Sequence, residues 1–396
     1  MAGDKSRFTS DRRRPSGSSW ADEEDWVAGT AENAEVVGGS LVGRSPVSDV
    51  PEAVRTQVYI GSTDDSIHAV NVSDGSRIWS SRTSGNVHSS PAVVDGIVYS
   101  GGGSGVYAFN TADGTREWAY DIGEYVGSSP AVVGGVLYIG SSTNDLHAIN
   151  AADGTKKWTY RTGDRVYSSP VVVDGVVYVG SSGGSLYAID SADGTKKWSF
   201  PIGYTRYSTP AVVDGVVYIG SGDGKVYAVD AVDGSERWAH YIGDIVDSSP
   251  AVVDGVVYVG SHDQHLHAID ASDGTENWTF GTGGRIYSSP TVVDGVVYIG
   301  SEDGNLYAVD VSTGAEQWLC ATGERIRGSP AVIGGSVIVG SANGNLYSID
   351  LTDGGKEWSY ETGGVIYNSS PIGGADGWCF VNRPGRIGNT EPLKPF

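Results

Sequence analysis

AADGTKKWTY at residues 151–160 and SADGTKKWSF at 191–200 are nearly the same ten residues, written forty positions apart. Self-similarity at a fixed period signals a repeat architecture. Tryptophan recurs at 79, 118, 158, 198, 238, 278, 318 and 358, with a first spacing of 39 and every later spacing of 40. Each tryptophan closes one unit, such as SSPVVVDGVVYVGSSGGSLYAIDSADGTKKWSF at residues 168–200.

The unit reads as four short strands. A β-branched run, VVVD, leads through Asp174-Gly175 into GVVYVGS, and Asp-Gly between apolar runs is a strong hairpin signal. SLYAID follows Gly183-Gly184, and TKKWSF follows Asp193-Gly194. A four-stranded antiparallel meander with apolar faces is not stable alone, and radial stacking buries those faces. Eight copies predict an all-β fold, an eight-bladed β-propeller. The tryptophan falls on the outermost strand, where a large side chain is needed to fill the widening gap between blades. Lys156 and Lys157 keep that edge charged, which discourages edge-to-edge aggregation.

The pattern Ala-x-Asp-x-x-(Thr/Asp)-Gly-x-x-x-Trp, as in Ala188-Ile189-Asp190 to Gly194 and Trp198, resembles the tryptophan-docking motif of the PQQ-like propeller repeat. That repeat occurs in quinoprotein alcohol dehydrogenases and in the propeller lipoprotein of the bacterial outer-membrane assembly machinery. The same pattern runs from Ala69 to Trp79, Ala108 to Trp118, Ala148 to Trp158, Ala228 to Trp238, Ala268 to Trp278 and Ala308 to Trp318; the last copy has Ser348 before Trp358. The resemblance implies structural docking by all eight tryptophans, Trp79, Trp118, Trp158, Trp198, Trp238, Trp278, Trp318 and Trp358. It also implies packing of each on a motif glycine such as Gly114, Gly154 or Gly194. A seven-bladed WD40 propeller is the alternative, but no repeat tryptophan is followed by Asp.

Ser-Pro, or Thr-Pro at Pro210, marks the innermost strand from Pro91 to Pro330, and it occurs again before Pro371, after the eighth repeat tryptophan, Trp358. The C-terminal inner strand is therefore expected to complete the blade begun by RTQVYIGS. The domain reading is a tail over 1–54, the propeller over 55–382 and a second tail over 383–396.

The chain has 48 acidic against 26 basic residues, a net charge of −22. That argues against nucleic acid as a partner. The balance resembles proteins of salt-loving organisms and implies a haloarchaeal source. If surface self-repulsion is large, stability rises between about 0.1 M salt, where the Debye length is near 10 Å, and about 1 M, where it is near 3 Å. A thermal melt across this range checks it, and a flat or falling melting temperature contradicts it. No apolar run approaches the roughly 20 residues of a transmembrane helix. Arg12-Arg13-Arg14 is followed by WADEEDWVAGT rather than by an apolar export segment, so a cytoplasmic location is expected, or a cell-surface one if the N-terminus is mis-assigned.

Cys320 and Cys379 form neither a metal motif nor a disulfide framework. Cys320 takes the place of Tyr160, Phe200 and Phe280 in other units and is expected to fill an apolar slot. His262, Asp263, His265 and His267 invite a metal reading. His267, however, replaces Tyr187 and Tyr227 as a strand residue, and His262 and His265 read as flanking a solvent turn. No metal, cofactor or catalytic residue is assigned. The quinoprotein enzymes that the repeat resembles need an Asp base, calcium held by acidic and amide side chains, and long insertions walling the cofactor; the even spacing leaves no room for such insertions.

Variation is concentrated in the loop before each Ser-Pro: three residues before the proline stand His88, Gly127, Tyr167, Tyr207, Asp247, Tyr287 and Arg327. Tyr and Arg are typical of binding hot spots. Tyr167, Tyr207, Arg285, Tyr287, Arg325 and Arg327 are the candidate binding face, with the three arginines suited to an anionic group. The expected function is a non-enzymatic scaffold, a monomeric propeller binding another protein or an anionic surface polymer. The alternative is a PQQ-dependent oxidoreductase.

Overall fold

The computed structural model describes residues 57–373, together with the strands Ala34–Val37 and Ser40–Gly43. Within 57–373 the chain forms eight four-stranded antiparallel blades, with no helix among the described residues. The fourth blade stands for the others: Val171–Val173 innermost, then Val176–Ser181, Ser185–Asp190 and Lys196–Pro201 at the outer edge. Its first hairpin turns at Asp174 and Gly175 with φ of 48° and 74°. Both central residues being left-handed matches the strand twist, which is why Asp-Gly recurs there. Tyr178 pairs with Ala188 and Ala188 with Trp198; a bulge follows before Ile189 pairs with Lys196.

The core lies between blades rather than within them. Tyr178, Leu186 and Trp198 of the fourth blade pack on Val217, Ile219 and Tyr227 of the fifth. The outer strand alternates between covered and exposed positions, so Trp198 is buried while Lys196 and Lys197 face solvent. Cys320 is buried in an apolar cluster with Trp318 and Leu306, as its place in the repeat predicts.

All eight docking tryptophans act alike. Each indole Nε1 donates to a backbone carbonyl of the next blade at 2.7–3.0 Å: Trp79 to Thr111, Trp198 to Ala231, and round the ring to Trp358 on Val72. The tyrosine beside several of these indoles donates to the same carbonyl, Tyr178 to Ala231 at 3.2 Å for example. The motif glycine of the next blade lies under the indole. A Cβ on Gly234, at φ +75°, would sit 2.8 Å from the Trp198 ring. The same contact joins Gly114 to Trp79, Gly154 to Trp118 and Gly194 to Trp158. Glycine is required there both by the left-handed backbone and by the close approach.

The ring closes between its two ends. Ile372–Gly373 pairs antiparallel with Gln57–Ser62, Tyr59 opposite Ile372, and supplies the innermost strand of the first blade. Ser40–Gly43 pairs antiparallel with Ala34–Val37 and lies parallel to the inner strand Ala131–Val133 through Val42 and Val132. The tails assigned to 1–54 and 383–396 otherwise fall outside the described residues, as does Cys379.

Candidate binding site at the channel mouth

Beneath the variable loops the residues preceding proline form a closed belt. The Ser90 N–H donates to Ser129 Oγ at 2.9 Å, the Ser129 N–H to Ser169 Oγ at 3.0 Å, and the pattern passes through Thr209 and Ser289 until the Ser370 N–H meets Ser90 Oγ at 2.9 Å. Each of the eight hydroxyls thus accepts a backbone N–H from the preceding blade. In most blades the first serine of the pair also accepts a backbone N–H from the second strand, as Ser168 does from Gly180 at 3.2 Å. This is why Ser-Ser-Pro barely varies: proline has no N–H to satisfy, and the two hydroxyls hold the strands around it.

Above this belt an open recess is lined by the positions three before each proline. Tyr167, Tyr207, Asp247, Tyr287 and Arg327 all reach it, and His88 and Asn368 complete the wall. Aromatic rings follow one another around half the mouth: Tyr367 to His88 at 5.6 Å, His88 to Tyr125 at 5.8 Å, Tyr125 to Tyr167 at 6.2 Å and Tyr167 to Tyr207 at 6.1 Å. Gly127 makes room for Tyr125, since a Cβ there would lie 2.7 Å from that ring. Burial holds the His88 imidazole below its ordinary pKa and pushes the Tyr125 and Tyr207 hydroxyls up.

The other half of the mouth carries the charges. The Arg327 guanidinium lies between the Tyr287 and Tyr367 rings, 4.2 Å and 4.4 Å from their centres. Its Nε donates to Glu302 Oε1 at 2.7 Å, Nη2 donates to the same oxygen, and Nη1 donates to the Tyr367 hydroxyl. Of the three arginines expected to gather here, only Arg327 lines the recess, and its charge is met by Glu302. Arg285 and Arg325 are exposed on the rim, their carbonyls accepting from Glu302 and Ala342 N–H at 2.9 Å and 2.8 Å.

The histidine segment divides. His267 is a strand residue, as the repeat implies; its Nε2 is 3.1 Å from Asp263 and its Nδ1 2.7 Å from Glu276. Burial lowers its pKa, but the bonds to these two carboxylates outweigh burial and leave it above 6.5. A raised folded value means that its stabilising contribution is full below about pH 6.5 and fades as pH climbs through the folded value. NMR titration of His267 is expected to place it above the free-histidine value, and a value below would contradict the pairing. His262 corrects the expectation of a solvent turn. It is only 7% exposed, lies 4.3 Å from the Tyr287 ring and has Nε2 3.3 Å from Asp247 Oδ2. The turn bearing it folds over the preceding loop, its N–H donating to the Ile245 carbonyl at 3.0 Å, so the side chain is driven inward. Among the described residues no three His, Cys, Asp or Glu converge to hold a metal.

A quinone cofactor with calcium would need a cluster of acidic and amide donors, which the resemblance implies above the ring. Asp247 and Asn368 line the recess from blades three apart around the ring, and Glu302 is committed to Arg327. These residues do not fit that group.

Residues 23–129, 103–245 and 242–370 each match the PQQ-like repeat family described as outer membrane protein assembly factor BamB, and the chain belongs to this family. Its fold is similar to that of BamB from Moraxella catarrhalis (TM-score 0.61, 18% identity, 78% of this chain and 91% of that one). It is also similar to the computationally designed Ika8 protein (TM-score 0.64, 16% identity, 73% and 93%). A third likeness is to the quinohemoprotein alcohol dehydrogenase ADHIIG from Pseudomonas putida HK5 (TM-score 0.61, 18% identity, 72% and 68%). No curated protein matches the chain. Among the described residues no helix is long and apolar enough to cross a membrane.

Proposed function

We propose that this chain is a non-enzymatic propeller scaffold that binds another protein or a surface polymer through the channel mouth. The observation that carries the reading is the division of each unit into a copied part and a changing part. The tryptophan, its glycine and the Ser-Pro belt recur around the ring, while the residues one step above the belt differ from blade to blade. Side chains that vary on a rigid frame and face one recess are where recognition is built. An anionic group on the partner would meet Arg285 and Arg325 on the rim, since Arg327 is already paired.

The test is a double change, Arg285→Ser with Arg325→Ser, compared with the parent by pull-down at high salt. Both side chains are exposed, so folding is expected to persist. Loss of a partner retained by the parent supports the rim; retention of every partner contradicts it. The likeness to an alcohol dehydrogenase fold raises a second reading, a quinone-dependent oxidoreductase. Mixing the protein with pyrroloquinoline quinone and calcium is expected to leave the quinone spectrum unchanged, and a bound, reducible quinone would overturn the scaffold reading.

A further inference from the structure

Two buried polar groups, one lining the recess and one beside it, make no side-chain hydrogen bond through the atoms that face each other. Asp247 is 5% exposed and lines the recess, and among the described residues no hydrogen bond is made to its carboxylate. His262 is 7% exposed, and among the described residues its Nε2 has no hydrogen-bond partner. The two are 3.3 Å apart but not aligned to bond each other. Burying a carboxylate without a donor is costly, and so is burying an imidazole nitrogen without a partner. Such groups side by side at an open recess mark a place that something else completes.

The surroundings decide what that is. Asp247 bears electrostatically on Tyr204, Tyr207 and Tyr287, so it sits among three phenol rings. Arg327, the cation that lines the recess among the described residues, is paired with Glu302, and Arg206, 5.2 Å over the Tyr207 ring, is exposed outside the lining. Burial keeps His88 toward its uncharged form. The lining of the recess therefore sets the Asp247 carboxylate within an aromatic wall, on a chain whose net charge is −22. An anion entering the recess would face Asp247, while the exposed arginines Arg206, Arg285 and Arg325 lie outside its lining. A primary ammonium fits these surroundings: its charge meets the carboxylate, an N–H reaches Asp247, and the tyrosine rings favour a cation nearby.

We propose that the Asp247–His262 corner of the channel mouth binds a primary ammonium group, carried by a small amine or by a lysine side chain of a partner. The inference rests on the reading of the mouth as a binding face and names the chemistry of one subsite in it. It is independent of the rim arginines.

The experiment is calorimetric titration of the full chain with three probes: n-butylammonium chloride, a capped Gly-Gly-Lys-Gly-Gly peptide, and sodium butyrate. Both amines are expected to bind and butyrate to give no heat. Tighter binding of the peptide assigns the ammonium to a partner's lysine, and equal binding assigns it to a small amine. Asp247→Asn, of the same shape, is expected to weaken amine binding at least about tenfold. His262→Gln, which restores an acceptor but not the ring, is expected to weaken it less. No amine binding by the folded parent, amine binding unchanged in Asp247→Asn, or preferential binding of butyrate would each overturn the proposal. If the amines fail while the Arg285→Ser, Arg325→Ser variant still loses its partner, the binding face stands and only the ammonium subsite falls.

Discussion

Trp198→Ala lowers the stability of the propeller by about 3–5 kcal/mol, the range for truncating a large aromatic in a packed core. The indole is 9% exposed, lies against Gly234 of the next blade and bonds the Ala231 carbonyl at 3.0 Å. The cavity left behind is not refilled, because its floor is a glycine peptide and its walls are the strands of two blades. The carbonyl keeps Tyr178 as a donor, which holds the loss to the packing range rather than adding a buried unsatisfied acceptor. With roughly 2 cal/mol/K of unfolding entropy per residue, the melting temperature is expected to fall about 5–8 °C. Calorimetry reads it directly, and a melt within a degree or two of the parent would mean that the blades are held together by something other than these indoles.

Ile372→Asp is expected to cost at least as much. Ile372 is 1% exposed, opposite Tyr59, in the short strand by which the C-terminal end of the ring completes the first blade. Losing the aliphatic side chain costs about 2–5 kcal/mol. The introduced carboxylate must also ionise in an apolar layer or take up a proton, and either adds to the cost. Two neighbouring links depend on the same segment: Ser369 Oγ receives the Gly61 N–H at 2.9 Å and Ser370 closes the hydroxyl belt onto Ser90. Ile372→Val, which keeps the strand apolar, is the control, at about 0.5–1.5 kcal/mol. If the two variants melt together, this strand does not fasten the ring.

The fold was legible because its determinants are local and repeated. Tryptophan spacing, Asp-Gly turns and Ser-Pro each act within one unit or on the next, so a periodic sequence states a periodic contact. Even the closure could be read, from a Ser-Pro that returns before Pro371, after the eighth repeat tryptophan, Trp358. The mouth was legible only as a set of positions. Tyr167, Tyr207, Tyr287 and Arg327 share the recess because they share a place in the unit. What each does there depends on residues at other places. Arg327 is paired by Glu302, 25 residues earlier in a different turn. Tyr125 enters the aromatic arc because the next-but-one residue, Gly127, leaves the space. His262 turns inward in a turn where the next unit back has Gly222. No periodic signal marks such cross-loop pairs; the one trace in the sequence is that these positions depart from the residue most units carry.

The chain thus separates two tasks. Indoles, glycines and a ring of hydroxyls fix eight blades, and a second layer of side chains, free to differ, faces the recess above. The most direct test of that division is site-specific photo-crosslinking in native lysate at high salt. One probe replaces Tyr204, exposed beside the mouth; the other replaces Tyr241, exposed at the end of an outer strand. The account predicts a discrete crosslinked species from position 204 that Asp247→Asn or Tyr207→Ser diminishes, and none from position 241. A discrete species from 241 with none from 204 would place recognition on the outer edge and contradict it.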